Sequence, residues 1–568
     1  MQFSELMAAL SKHPIRLQQD DDNLVIQGDD EGLDDALWES LALHKRELLE
    51  LVERNGGDWL SPAFRITPDM LPLVSLTQEQ IDRIIDSVPG GAGNVQDIYP
   101  LAPLQEGILY HHLAAEQGDP YVLHALFGVD RRARLDDFLQ ALQGVIDRHD
   151  ILRTSVAWEG LDEPVQVVWH KAVLTLEELQ LDPAQGAVEA QLQQRFDTRH
   201  HRLDMGRAPL LRLVCAEDRP NQRWVALLLF HHMALDHAAL ELVQHEMQAF
   251  LLGQGHALPE AVPYRNYVAQ VRLGVSRQEH EAFFREMLGD VDEPTLPFGL
   301  QEVQGSGQVV EEAFMTLPAS LSQAMRSQAR QLGVSVASLV HLAWAQVLGR
   351  VSGRQDVVFG TVLLGRMQGG EGADRALGMF INTLPLRVDV EGQPVRAGVK
   401  ATHARLTALL GHEHASLALA QRCSGVAAPT PLFSALLNYR HSGTATSTEA
   451  VSAWNGIQVL GGEERTNYPL MLSVDDMGED FGLTVQAVEG VGAARVGAYM
   501  ETALASLMEA LRQTPGALLS GLSVVPHTEL EQLLATFNAT QAEYPLAQTI
   551  HGLFEAQVQR TPESLAVL

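Results

Sequence analysis

Residues 224–236 read Trp224-Val225-Ala226-Leu227-Leu228-Leu229-Phe230-His231-His232-Met233-Ala234-Leu235-Asp236. The run 224–230 is almost wholly apolar, as expected of a strand covered on both faces. Beyond it, Ala239, Leu242, Val243, Met247 and Phe250 recur at helical spacing, and Gly253 is a natural stop. A strand, a short loop and a helix therefore place two imidazoles and a carboxylate at a strand's carboxyl end, where open α/β sheets hold their ligands. The expected fold class is α/β.

Composition narrows the function. The chain has 568 residues, enough for about three or four folding units. Its net charge of −32 carries no stripe of Lys and Arg interleaved with aromatics, which excludes electrostatic attraction to nucleic acid or to an anionic membrane. Cys215 and Cys423 stand far apart, without metal-ligand or redox spacing, and read as core thiols in a reducing compartment. Residues 1–10 lack a basic segment followed by an apolar core, and no apolar run spans a bilayer, so a cytoplasmic protein is expected.

Outward from the histidines, residues 1–57 form a small unit. A helix is marked by Phe3, Leu6, Met7 and Leu10, and two strands, 15–18 and 23–27, join across Asp20-Asp21-Asp22. Asn55-Gly56-Gly57 closes its last helix. The ribbon, with Ile15, Leu17, Leu24, Val25 and Ile26, leaves a strand edge open to a partner peptide. Residues 58–94 read as a linker with one helix at 76–88, and an α/β region begins near Val95. It divides at a charged helix and Pro294 into two lobes, 95–274 and 275–526. Strands are expected at 356–364 and 383–390, and helices at 335–348 and 496–512. Residues 527–568 start a helix and then an apolar strand ending Leu565-Ala566-Val567, the opening of a further domain in a longer polypeptide.

Several separated motifs now fall in order. Arg148-His149-Asp150-Ile151-Leu152-Arg153-Thr154, the His231–Asp236 run, Pro263-Tyr264-Arg265-Asn266-Tyr267 and Leu377-Gly378-Met379-Phe380-Ile381-Asn382-Thr383-Leu384-Pro385-Leu386-Arg387 resemble successive motifs of nonribosomal peptide synthetase condensation domains. The resemblance covers roughly residues 95–525. It implies two chloramphenicol-acetyltransferase-like lobes forming a V around a tunnel. Into the tunnel, upstream and downstream peptidyl carrier proteins deliver thioesters on 4'-phosphopantetheine arms, and no cofactor or metal is bound directly. His111-His112-Leu113-Ala114-Ala115-Glu116-Gln117-Gly118-Asp119 looks like the His-His-Leu-x-x-x-x-Gly-Asp signature of dual epimerization/condensation domains, which invert the donor's last residue before coupling it. Residues 1–57 resemble a TubC-like docking domain that captures the tail of a preceding synthetase subunit. Residues 527–568 resemble a linker and the start of an adenylation domain.

The resemblance also suggests roles. His232 is the expected proton-transfer or orienting group, a task that adds roughly 10²–10⁴-fold. His231 is expected to be structural, donating to backbone. Asp236 either orients His232 or pairs with an arginine, for which Arg153 is the expected partner. Of His111 and His112, neighbours on a helix and about a hundred degrees apart, only one can face a tunnel. Arg148, Asn382 and Arg387 are expected to support the fold. His237 replaces the family's usual Gly and puts the tunnel dimensions in doubt. Zinc fits poorly, because the His-His-x-x-x-Asp run offers no cage. Alternatives are a condensation-only domain that selects a D-donor, a coenzyme A-dependent acyltransferase of the same fold, and a scaffold without activity.

Overall fold

The computed structural model describes all residues except 21–22, 29–31, 55–57, 62–63, 116, 302–309, 367–374, 442–452, 464–467, 544–545 and 566–568. The Asp21-Asp22 turn, the Asn55-Gly56-Gly57 stop, Glu116 and the terminal Ala566-Val567 therefore lie outside the described residues.

The expected hairpin forms from Ile15–Asp20 and Asn23–Gly28, with Leu17 opposite Ile26. A third strand, Asp58–Leu60, pairs with the other side of Ile15–Asp20, so the sheet runs one strand past the boundary read at Gly57. Asn23–Gly28 is left as an outer strand. Ile15 and Leu17 are fully buried with Leu6, Leu10, Leu48 and Val52, which removes them as docking contacts. Val25 alone of the five ribbon residues is exposed, while Leu24 and Ile26 are half-buried.

The linker reading of 58–94 needs correction. Its helix, Gln78–Ser87, is closed by a capping box between Thr77 and Gln80. Phe64, Ile66, Ile81 and Ile84 pack against Val165, Val167 and Trp169 of a small sheet in the first lobe. Eight apolar residues of the segment, from Phe64 to Val88, are buried in this way, so it is fixed to the lobe.

The first lobe centres on a five-stranded sheet ordered Ile457–Glu463, Val122–Val129, Arg223–His231, Leu211–Asp218, Leu176–Leu179. Arg223–His231 pairs antiparallel with both neighbours. Both faces are covered, which explains the apolar run. Leu228 and Phe230 meet one core and Leu227 and Leu229 another. Helices Arg132–Arg148 and His237–Leu251 pack on the former side.

The second lobe holds a six-stranded sheet ordered Val310–Thr316, Phe481–Val488, Leu470–Asp476, Ala435–His441, Asp356–Leu363, Asn382–Asp389. Behind it lie Val336–Ser352 and Ala493–Gln513, close to the spans expected from sequence. Two segments after residue 275 cross back. Ile457–Glu463 adds an edge strand to the first lobe's sheet, and Ala376, Leu377, Met379 and Phe380 enter the first lobe's core. Among the described residues no single helix is long and apolar enough to cross a membrane.

Candidate active site

A cavity of about 720 Å³ opens between the lobes, lined from the first by His111, Tyr121 and His232 and from the second by Arg366, Asn382 and Tyr468. The end of the strand decides which histidine of the 231–232 pair reaches it. Arg223–His231 closes on the fully buried His231, and the turn that follows brings half-buried His232 to the cavity. The His232 backbone N–H is held by the Tyr121 carbonyl at 2.8 Å. Its Nδ1 lies 2.9 Å from the Leu235 carbonyl. A carbonyl only accepts, so Nδ1 carries the proton and Nε2 is the basic nitrogen of the neutral ring.

The second doublet repeats the division. On helix Pro103–Ala114, His111 lines the cavity and His112 is buried. Burial lowers the His111 pKa, opposed by the charge of Asp119, and so favours the neutral base. His112 points away and leaves the set of residues that can touch substrate. Its Nδ1 lies 2.5 Å from Asp119 Oδ2, and His231 Nε2 lies 3.0 Å from the same oxygen. Burial disfavours the Asp119 carboxylate, but hydrogen bonds from His112 and His231 outweigh it and hold the pKa well below the usual range. Gly118 makes this position reachable. Its φ is +67°, and a Cβ there would sit 2.1 Å from the Arg199 carbonyl oxygen.

His231 is fully buried, and it accepts from backbone where donation was expected: Met233 N–H donates to its Nδ1 at 2.9 Å. The ring proton therefore sits on Nε2 and faces Asp119. Among the described residues, His112, Asp119 and His231 bring three ligand-type atoms within 4.8 Å of one another.

Asp236 does not meet Arg153. The Arg153 guanidinium donates instead to Gln96 Oε1 at 2.9 Å and to the Trp169 and His170 carbonyls. Asp236, fully buried, caps His237–Leu251 by accepting from Ala239 N at 2.8 Å, accepts from Phe380 N at 3.1 Å, and lies 3.5 Å from Arg366. Arg366 stacks over the Phe380 ring, 4.1 Å from its centre, and donates to the Ala376 carbonyl. Tyr264 Oη binds the Met379 carbonyl at 2.6 Å. The 377–387 motif is thus a latch from the second lobe, held by Asp236 and Tyr264 of the first. Gly378 is required there, since a Cβ would fall 2.2 Å from the Tyr264 ring.

The remaining residues are placed plainly. His237 sits at the cavity's rim with a side chain 43% exposed, 3.8 Å from Glu241, so it does not fill the interior. Arg148 binds Glu246 and the Pro259 carbonyl. Asn382 donates to the Glu413 and Ala415 carbonyls, and Arg387 pairs with Asp356 and Asp290. Sequence reasoning missed Arg366, Tyr121 and Tyr468. Burial holds both phenols protonated, and both residues line the cavity.

The Condensation domain family model matches residues 95–534. Malpibaldin synthetase of Mortierella alpina is 51% identical over 503 residues, covering 89% of this chain and 9% of that protein. A linear gramicidin synthase of Brevibacillus parabrevis is 32% identical over 515 residues, covering 88% of this chain and 10% of that protein. The chain spans about a tenth of the length of these curated relatives. The EpoB cyclization-docking bidomain from Sorangium cellulosum superposes with TM-score 0.58 at 18% identity, covering 91% of this chain and 99% of that one. The condensation domain of the MokA polyketide synthase gives 0.58 at 20%, covering 75% and 100%. At such identities these structures share the two-lobed mixed α/β fold.

Proposed function

The chain belongs to the condensation-domain family, and from that premise we propose that it forms an amide between two carrier-bound thioesters after inverting the donor's α-carbon. The observation that carries this reading is that His232 and His111, from different elements, line one cavity between the lobes. In coupling, the acceptor's amine attacks the donor carbonyl, the carbon–sulfur bond breaks, and the amine proton passes through His232 Nε2 to the departing sulfur. Holding both partners there supplies much of the rate, because the thioester is already activated. In inversion, one imidazole removes the Cα proton while the other returns a proton to the opposite face. Tyr121 and Tyr468, which line the same cavity, are the residues this reading assigns to the intermediate oxyanion.

One observation favours a second reading, coupling of a ready-made D-donor without inversion. Two members of the dual-domain signature, His112 and Asp119, brace the His232 loop and do not face the cavity. Carriers loaded with an L-donor and an acceptor separate the readings. Product with a D-configured donor residue, lost in His111→Phe while a supplied D-donor still couples, supports inversion. Coupling of the D-donor only by the unaltered protein refutes it.

The partners follow from this chemistry. Two peptidyl carrier proteins supply the pantetheine arms as substrate. The edge of Asn23–Gly28 takes the tail of a preceding synthetase protein as an added strand. Leu534, Phe537 and Phe554 of residues 527–568 are exposed, and an adenylation domain is the partner we propose for that apolar surface.

A further inference from the structure

We propose that Asp119 is a positioning residue for the His232 loop, fixing through its carboxylate the His231 tautomer on which that loop's geometry depends. The rate consequence rests on the amide-forming role proposed above, whereas the tautomer does not.

Two routes join Asp119 to His232. On one side Oδ2 accepts from His231 Nε2, and the same ring accepts at Nδ1 from Met233 N, the residue after His232. On the other side Oδ1 accepts from Tyr121 N at 2.9 Å, and the Tyr121 carbonyl accepts from His232 N at 2.8 Å. The carboxylate itself is held by its own backbone N–H on the Thr198 carbonyl at 2.9 Å. Arg202 fixes the preceding helix end through the His112 and Ala115 carbonyls. Asp119 is 1% exposed and His231 is fully buried, so water does not substitute for these bonds at little cost. The spacing of His112, Gly118 and Asp119 is thereby explained without contact to substrate. Gly118 permits the turn, Asp119 bridges, and His112 supplies a second donor to the bridging oxygen.

An asparagine tests the tautomer with little change of shape. Tyr121 N–H requires the amide oxygen at the Oδ1 position, which turns the amide NH₂ toward His112 and His231. His231 must then accept at Nε2 and carry its proton on Nδ1, against Met233 N–H.

The experiment uses ¹⁵N-histidine NMR of the whole chain, with the His231 signal identified by its loss in His231→Ala, together with coupling kinetics from a D-donor. We expect an Nε2–H tautomer in the unaltered protein and its loss in Asp119→Asn. The coupling kcat should fall roughly ten- to hundredfold, the equivalent of losing one charged hydrogen bond, with KM within about twofold. In a His231→Ala background the same change should add less than about twofold, because its route is gone. An Nδ1–H tautomer in the unaltered protein, an unchanged rate in Asp119→Asn, or effects that multiply across the two backgrounds each overturns the proposal. So does stoichiometric zinc that is lost with Asp119→Asn. Absence of coupling by the unaltered protein defeats the functional reading instead, and the NMR result then decides the tautomer by itself.

Discussion

Replacing Asp236 by alanine should unseat the inter-lobe latch, and the structure sets the size of the effect. Three interactions end at once. The Ala239 N–H loses its cap, worth about 1 kcal/mol. The Phe380 N–H loses a buried acceptor, worth about 1–3 kcal/mol. Arg366, with a side chain 15% exposed, loses the carboxylate 3.5 Å away, and breaking such a pair typically costs about 3–5 kcal/mol. The three share one carboxylate and are not additive, so a total of about 3–5 kcal/mol is expected. In a lobe of this size each kcal/mol lowers the midpoint by about 2–4 °C, giving a fall of roughly 6–20 °C. Thermal unfolding followed by fluorescence reports it, since Trp158, Trp169 and Trp224 lie in the first lobe and Trp344 in the second. Asp236→Ala combined with Arg366→Ala should cost less than the two changes summed, because no stranded guanidinium remains. A midpoint within about 2 °C of the unaltered protein, or strict additivity in the pair, would refute the latch.

Other expectations follow from the same geometry. His232→Gln should reduce coupling by roughly 10²–10⁴-fold with little change in the unfolding midpoint, and near-normal turnover would remove His232 from the chemistry. Gly378→Ala should destabilise the latch by at least about 1–3 kcal/mol, because φ is +152° and the new Cβ meets the Tyr264 ring; calorimetry showing no change would contradict the close approach. Acid should weaken the second lobe through His341, whose pKa burial pushes down to about 4, with the Ala337 carbonyl opposing. As pH falls from about 6.5 to about 4 the unfolded chain takes a proton that the folded ring refuses, so stability present above 6.5 is lost, by up to about 3 kcal/mol. Unfolding midpoints at pH 7 and pH 5 should therefore converge in His341→Gln, and an equal gap in both proteins would assign the acid sensitivity elsewhere.

The elements that sequence periodicity reaches are those whose packing is local to them. The apolar run 224–230, the amphipathic stretch after Asp236 and the 15–27 hairpin each signal their own form, and each is found close to its expected span. Partners distant in sequence carry no such signal. Arg366 lies 130 residues from Asp236 and follows a strand with no motif of its own, so Arg153, inside a motif, draws the assignment in its place. Residues 58–94 read as a linker because their apolar side chains are spread among Pro and Gly, and only the sheet bearing Val165 and Val167 shows what they bury against. The crossing of Ile457–Glu463 into the first lobe is likewise invisible, since edge pairing depends on a neighbour's register.

The histidine doublets show most clearly where linear reading stops. His231 is the last residue of its strand and His232 the first of the turn beyond it, while on a helix the second residue of a pair turns by about a hundred degrees. Each doublet therefore splits, one ring to the cavity and one to the interior. His232 and His111 become the pair available for chemistry, and His231 and His112 become neighbours across Asp119, their ring centres 6.0 Å apart. The sequence displays two doublets and a Gly-Asp as if they were one catalytic inventory. The fold separates them into two rings that line the cavity and two buried rings that share one oxygen of Asp119 behind it. A substitution in the buried pair should thus alter rates through the geometry of the pair that lines the cavity.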